Sequence, residues 1–152
     1  MLRLVLPKGS LEKSTLELFA SAGLYVRRGS SVDYKGTIDD PRVESVRILR
    51  PQEIGRYITD GLFDLGITGR DWIEETGSDV ESLGQLRYSK NTERPVRIVV
   101  AVPEESSWSS VSDLPQGVKV STEYPSLTSD YFLANGVKAD IQLSALTPLA
   151  KK

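Results

Sequence analysis

Short, nearly continuous apolar runs alternate along this chain with apolar positions at helical spacing. Leu2, Leu4, Val5 and Leu6 form the first run, and Pro7-Lys8-Gly9-Ser10 closes it. A run of that length bounded by turn residues predicts a buried strand. Ser10 is placed to cap a helix in which Leu11, Leu16, Phe19 and Ala22 share roughly one face, with Gly23 as its stop. A second strand is expected at 24–26, followed by Arg27, Arg28 and a Ser- and Gly-rich loop ending in Asp39-Asp40-Pro41. Val43, Val46, Ile48 and Leu49 mark a third strand, which stops at Arg50. Pro51 suits the first helical position, Ile54, Tyr57 and Ile58 fall at i, i+3 and i+4, and Gly61 ends that helix.

The next apolar run, 62–67, stops at a glycine turn and hands over to another helix. Gly66 and Gly69 remove side chains where the strand ends, so the backbone can turn sharply or approach a ligand. Thr68 offers a hydroxyl there, and Asp71 can cap the helix that Trp72 begins. Further strands are expected at 83–90, 96–102, 118–122 and 139–144, the run at 96–102 being the strongest buried-strand signal. A polar crossover is expected at 89–95, a loop with a short helix at 106–114 and a helix at 127–135. Strands alternating with helices through short loops predict an α/β chain with mainly parallel sheets. The boundaries expected are a first α/β lobe over 1–94 and a second over 95–152. The tail 145–152 has no clear period, and a second lobe of three strands and one good helix reads as incomplete. The expectation is a fragment, or a lobe completed by another segment.

Composition narrows the chemistry. The 152 residues contain 39% hydrophobic and 26% charged side chains, typical of a globular domain with a core. There is neither cysteine nor histidine, which excludes disulfides, thiolate or imidazole metal ligands and a Ser-His-Asp triad. A net charge of −2 argues against a broad nucleic-acid footprint but leaves room for a local anion pocket. No apolar run approaches the ~20 residues of a membrane span, and a cytoplasmic location is expected. Lys8-Gly9 between a strand and a helix start is a sensible anion site, because free N–H groups, the helix dipole and a lysine converge there. The P-loop spacing is absent. Asp39-Asp40-Pro41 reads as a turn more readily than as a magnesium site.

Four motifs occurring in order carry a resemblance: Leu6-Pro7-Lys8-Gly9-Ser10-Leu11, Leu49-Arg50-Pro51-Gln52-Glu53-Ile54, the stretch from Asp64 to Trp72, and Ser121-Thr122-Glu123-Tyr124-Pro125-Ser126 with the helix start behind it. Together they resemble ATP phosphoribosyltransferase, over nearly the whole chain from Leu2 to about Ser144. The resemblance implies a two-lobed fold like that of periplasmic binding proteins, with the second lobe incomplete here. It implies transfer of a phosphoribosyl group from phosphoribosyl pyrophosphate to N1 of ATP, with magnesium, as the first step of histidine biosynthesis. It further implies that Lys8, Arg28 (or its neighbour Arg27) and Arg50 surround the phosphates. Gly9, Thr68, Gly69 and Asp71 would line the substrate side of the first lobe, with Thr122, Glu123 and Tyr124 facing them from the second. Metal ligands are not assigned, and a homo-oligomer is expected.

Two departures from the family pattern stand out. Ser10 occupies a place where the family often has arginine, and nothing after Ser144 matches the family's loop for the ribose 5-phosphate. Low activity of the 152-residue chain by itself is therefore expected. The competing readings are a non-catalytic nucleotide- or anion-binding module, and a folding unit that works only beside a partner chain.

Overall fold

In the computed structural model, which describes residues 1–87 and 97–144, the apolar run at the N-terminus becomes the strand β1 (Leu2–Pro7). The chain divides into two compact units, Met1–Arg94 and Pro95–Lys152. In the first unit β1 is central. The helix α1 (Glu12–Ser21) follows it, then β2 (Lys35–Gly36), β3 (Val43–Leu49), α2 (Pro51–Thr59), β4 (Leu65–Gly66) and α3 (Arg70–Thr76). The sheet order is β2-β3-β1-β4; β3 and β4 both run parallel to β1, and only the short edge strand β2 is antiparallel.

Side-chain alternation along β1 explains why both faces of the sheet are covered. Leu4 and Leu6 join Val46, Ile48 and Ile38 in one core cluster, against which Leu16 and Phe19 of α1 pack. Val5, between them, points to the opposite face, toward Ile54 and Ile58 of α2 beside Gly66. Val5, Val46 and Ile54 are wholly buried. Each such side chain contributes about 1.5–3 kcal/mol through burial, so three layers around β1 account for much of this unit's cohesion.

The second unit has the parallel pair β5 (Lys119–Thr122) and β6 (Asp140–Leu143), joined through α4 (Pro125–Ala134). Phe132, Leu114 and Val137 form its core, supported by Val118 and Val120.

Several expectations are corrected. Lys8, not Ser10, precedes the helical region, which opens with a short 3-10 turn at Gly9–Leu11. Residues 24–26, expected as a strand, form none; an isolated bridge pairs the next residue, Arg27, with Thr37. The strand expected at 62–67 shrinks to two residues, because Gly61 turns with φ 72° and Leu62 is left exposed. Residues 83–87 and 97–102 form no strand: Leu83, Ile98 and Val99 are 80%, 58% and 67% exposed, with no ladder partner among the described residues. The crossover expected at 89–95, the ends of those two runs at 88–90 and 96, and the tail 145–152 lie outside the described residues.

Candidate functional site

Parallel pairing sends the carboxyl ends of β3, β1 and β4 to one edge of the first unit's sheet. The ladder between β1 and β3 ends with Pro7 opposite Leu49, and Lys8 then donates its N–H to the Leu49 carbonyl at 2.7 Å. Lys8 and Arg50 are therefore the first residues beyond two adjacent strands. On the other flank, Ile67 donates to the Val5 carbonyl at 3.2 Å, bringing Thr68 and Gly69 to the same edge. The chain passes from β1 to β3 on one side and returns to β4 on the other, so the gap between β1 and β4 is a topological switch point. Ligands of open α/β sheets bind at such points.

Local chemistry fixes each position. Gly9 has φ 82°, a left-handed conformation that glycine adopts without a side-chain clash, and it lets the chain turn out of β1 into the 3-10 start. The Glu12 carboxylate approaches the Gly9 N–H at 3.4 Å. Arg50 is the N-cap of α2, with its backbone extended and its carbonyl accepting from Glu53. Its guanidinium is exposed and makes no hydrogen bond or ion pair among the described residues. The Thr68 hydroxyl donates to the Pro51 carbonyl at 2.7 Å, tying the end of β4 to the start of α2. Gly69, rather than the expected Asp71, is the N-cap of α3. The Asp71 carboxylate folds back so far that a Cβ on Gly69 would collide with it. Lys8, Gly9, Arg50, Thr68, Gly69 and Asp71 are thus all delivered to one edge.

Arg28 is placed differently from a free phosphate ligand. Its guanidinium forms a 2.8 Å ion pair with Glu12, both side chains being largely buried, and donates to the Ser31 carbonyl at 3.0 Å. Thr122, Glu123 and Tyr124 stand at the carboxyl end of β5, in the second unit. The Thr122 hydroxyl accepts the Tyr124 N–H at 3.0 Å and lies 3.1 Å from the Thr128 hydroxyl, which organises the start of α4. Asp40 is bound bidentately by Arg42 and its carboxyl is held down at about 2 by that hydrogen bonding, so Asp39-Asp40-Pro41 forms a salt-bridged turn. One neighbour of the site was not foreseen: the Lys8 ammonium lies 4.3 Å from the centroid of the Tyr34 ring. Nothing local in the sequence signals it, because the contact spans the width of β3.

A family model described as HisG, ATP phosphoribosyltransferase, matches residues 50–145, from the N-cap of α2 to just past β6. The chain belongs to the ATP phosphoribosyltransferase family. Among similar proteins of that name, one from Chlorobaculum parvum is 48% identical over 144 residues, covering 95% of this chain and 48% of the relative. Others from Chlorobium luteolum and Koribacter versatilis are each 46% identical, over 95% and 94% of this chain and again 48% of the relative. The chain thus spans about half the length of the curated relatives it matches. A solved ATP phosphoribosyl transferase (HisG:HisZ) complex from Thermotoga maritima has a TM-score of 0.66 at 22% identity, over 99% of this chain and 69% of that one. That likeness concerns the fold: the mainly parallel α/β architecture of periplasmic-binding-protein type. No helix among the described residues is long and apolar enough to cross a membrane.

Proposed function

We propose that this chain contributes the phosphate-binding edge of an ATP phosphoribosyltransferase acting in the cytoplasm on ATP and phosphoribosyl pyrophosphate. In that reaction N1 of ATP forms a bond to C1 of the ribose while the bond from C1 to the pyrophosphate oxygen breaks. Pyrophosphate leaves with the bonding electrons. The observation that carries this reading is the pair of cations beyond adjacent parallel strands, Lys8 and Arg50, with the guanidinium of Arg50 uncommitted. Two positive charges at a strand end suit a leaving group whose negative charge grows in the transition state, and no side-chain nucleophile is needed. Gly9 lets backbone N–H groups approach the same anion. Arg28 supports the site through Glu12 and the 31–33 loop, and Thr68, Gly69 and Asp71 border it on the purine side. Thr122, Glu123 and Tyr124 are assigned to substrate from the second unit.

Magnesium fits this scheme as an ion held mainly by substrate. Among the described residues no group of three or more acidic side chains is arranged to cage a metal. Mg²⁺ commonly uses one or two carboxylates plus phosphate oxygens, and Asp71 is a carboxylate at this edge besides Glu12, which is paired with Arg28. When bound, it would offset charge on the departing pyrophosphate. Assembly with further copies or with a second kind of subunit belongs to the same proposal, by analogy with the Thermotoga maritima complex.

Arg50→Ala tests the reading. Loss of a charge-assisted contact should weaken pyrophosphate binding by about 1.5–3 kcal/mol in calorimetry, whereas Lys152→Ala should leave it unchanged. Equal affinities for wild type and Arg50→Ala would refute the assignment. Pyrophosphate release from ATP plus phosphoribosyl pyrophosphate, measured with this chain alone and mixed with the other half of a curated relative, tests the activity. Binding without release in either case would point to a binding module instead.

A further inference from the structure

We infer that Tyr34 is a positioning residue for Lys8, holding its ammonium at the carboxyl end of β1 before any anion arrives. The inference rests on the reading of Lys8 as a phosphate ligand. It goes beyond that reading by naming what keeps a four-carbon side chain in place.

Lysine is a poor fixed charge. Its flexible stem samples many rotamers, and ordering it reduces whatever a phosphate contact gains. No side-chain hydrogen bond or ion pair to Lys8 exists among the described residues, yet its ammonium sits 4.3 Å from the centre of the Tyr34 ring. That is within the range in which an aromatic face attracts a cation. An ammonium resting on one face of a ring keeps its remaining N–H donors for another partner, so the contact orients Lys8 without occupying it.

The ring is itself held. The Tyr34 carbonyl accepts the Ile48 N–H at 2.9 Å, which fixes the residue against β3 just ahead of the β2–β3 ladder. The segment leading to it is closed from both ends. Arg27 and Thr37 exchange two backbone hydrogen bonds of 2.9 Å, and the Asp33 carboxylate accepts the Ser30 N–H at 2.8 Å. The Arg28 guanidinium, anchored on Glu12, holds the Ser31 carbonyl. Tyr34 is 54% exposed, so the ring is not there to fill a core. An exposed aromatic on a tied loop, laid over a cation at the candidate site, is arranged for positioning.

The experiment combines nuclear magnetic resonance with calorimetry on the 152-residue chain, using inorganic pyrophosphate as probe. Lysines carrying ¹³C at the ε position are observed, and the signal lost in Lys8→Met assigns Lys8. In the wild type and in Tyr34→Phe the Lys8 ε protons should be shifted upfield by the ring, and in Tyr34→Leu the shift should vanish. Pyrophosphate affinity should fall about three- to fivefold in Tyr34→Leu, equivalent to roughly 0.7–1 kcal/mol, and stay within about twofold in Tyr34→Phe. Lys8→Met should lose about tenfold or more. Absence of the upfield shift in the wild type overturns the inference without recourse to any variant. Wild-type affinity in Tyr34→Leu, with Lys8→Met weakened, overturns the positioning role while leaving Lys8 a phosphate ligand. Undiminished affinity in Lys8→Met overturns the phosphate reading itself, even where the ring shift is present.

Discussion

At the amino end of β1, Arg3 grips the Asp64 carboxylate through Nε and Nη2 at 3.0 and 2.7 Å, while its backbone N–H donates to the same group at 2.8 Å. These hydrogen bonds, those of the guanidinium first, pull the Asp64 carboxyl down to about 2, below its ordinary value of 3.8. Stabilisation from such a group is complete above its unfolded-state value, near ~3.9, and is lost as the pH falls through the folded value. Unfolding free energy measured in urea should therefore decline between about pH 4 and pH 2, and Asp64→Asn should flatten part of that decline. Identical acid limbs for wild type and variant would show that the bridge is not felt in stability. Asp40 adds the same sign of dependence through Arg42.

The elements that were legible from the pattern are those whose signal is local. β1 and β3 are runs of buried aliphatics, and α2 has apolar positions at one-turn spacing with Pro51 and Gly61 as its bounds. β2 carries no pattern at all, since Lys35–Gly36 becomes a strand only by lying against Arg47 and Val46. The reverse holds at 97–102, where the residues have strand character but pairing depends on a distant partner. At the candidate site, the positions of Lys8 and Arg50 at the strand ends were legible because each follows a buried run directly. The ion pair of Arg28 was not, because its partner Glu12 lies sixteen residues back. The packing of α2 on β4 yields a sharp test at Gly66. A Cβ there would come within 2.7 Å of Ile54 Cγ2 and 2.8 Å of Val5 Cγ1 and Ile58 Cδ1. Gly66→Ala should cost about 1–3 kcal/mol in chemical denaturation. An unchanged midpoint would mean that α2 can shift freely on the sheet.

Across the whole molecule, burial is uneven. The first unit buries its central strand from Leu4 to Pro7, whereas in the second Ile98, Val99, Val100 and Val102 stand 58%, 67%, 41% and 40% exposed within one short run. A run of β-branched residues left accessible is prone to pair with copies of itself. Val99→Lys should raise the protein concentration at which light scattering appears while leaving the melting temperature nearly unchanged; scattering unaffected by the charge would place the self-association elsewhere. The position of β1 has a further consequence, in time rather than in space. Both of its ladder neighbours are synthesised after it, at Val43–Leu49 and Leu65–Gly66. At ~5–20 residues per second, the roughly sixty residues from Pro7 to Gly66 take about 3–12 s to translate. Throughout that interval Leu4, Val5 and Leu6 leave the ribosome without the neighbours that will enclose them, which makes this strand of the nascent chain a natural target for a holding chaperone.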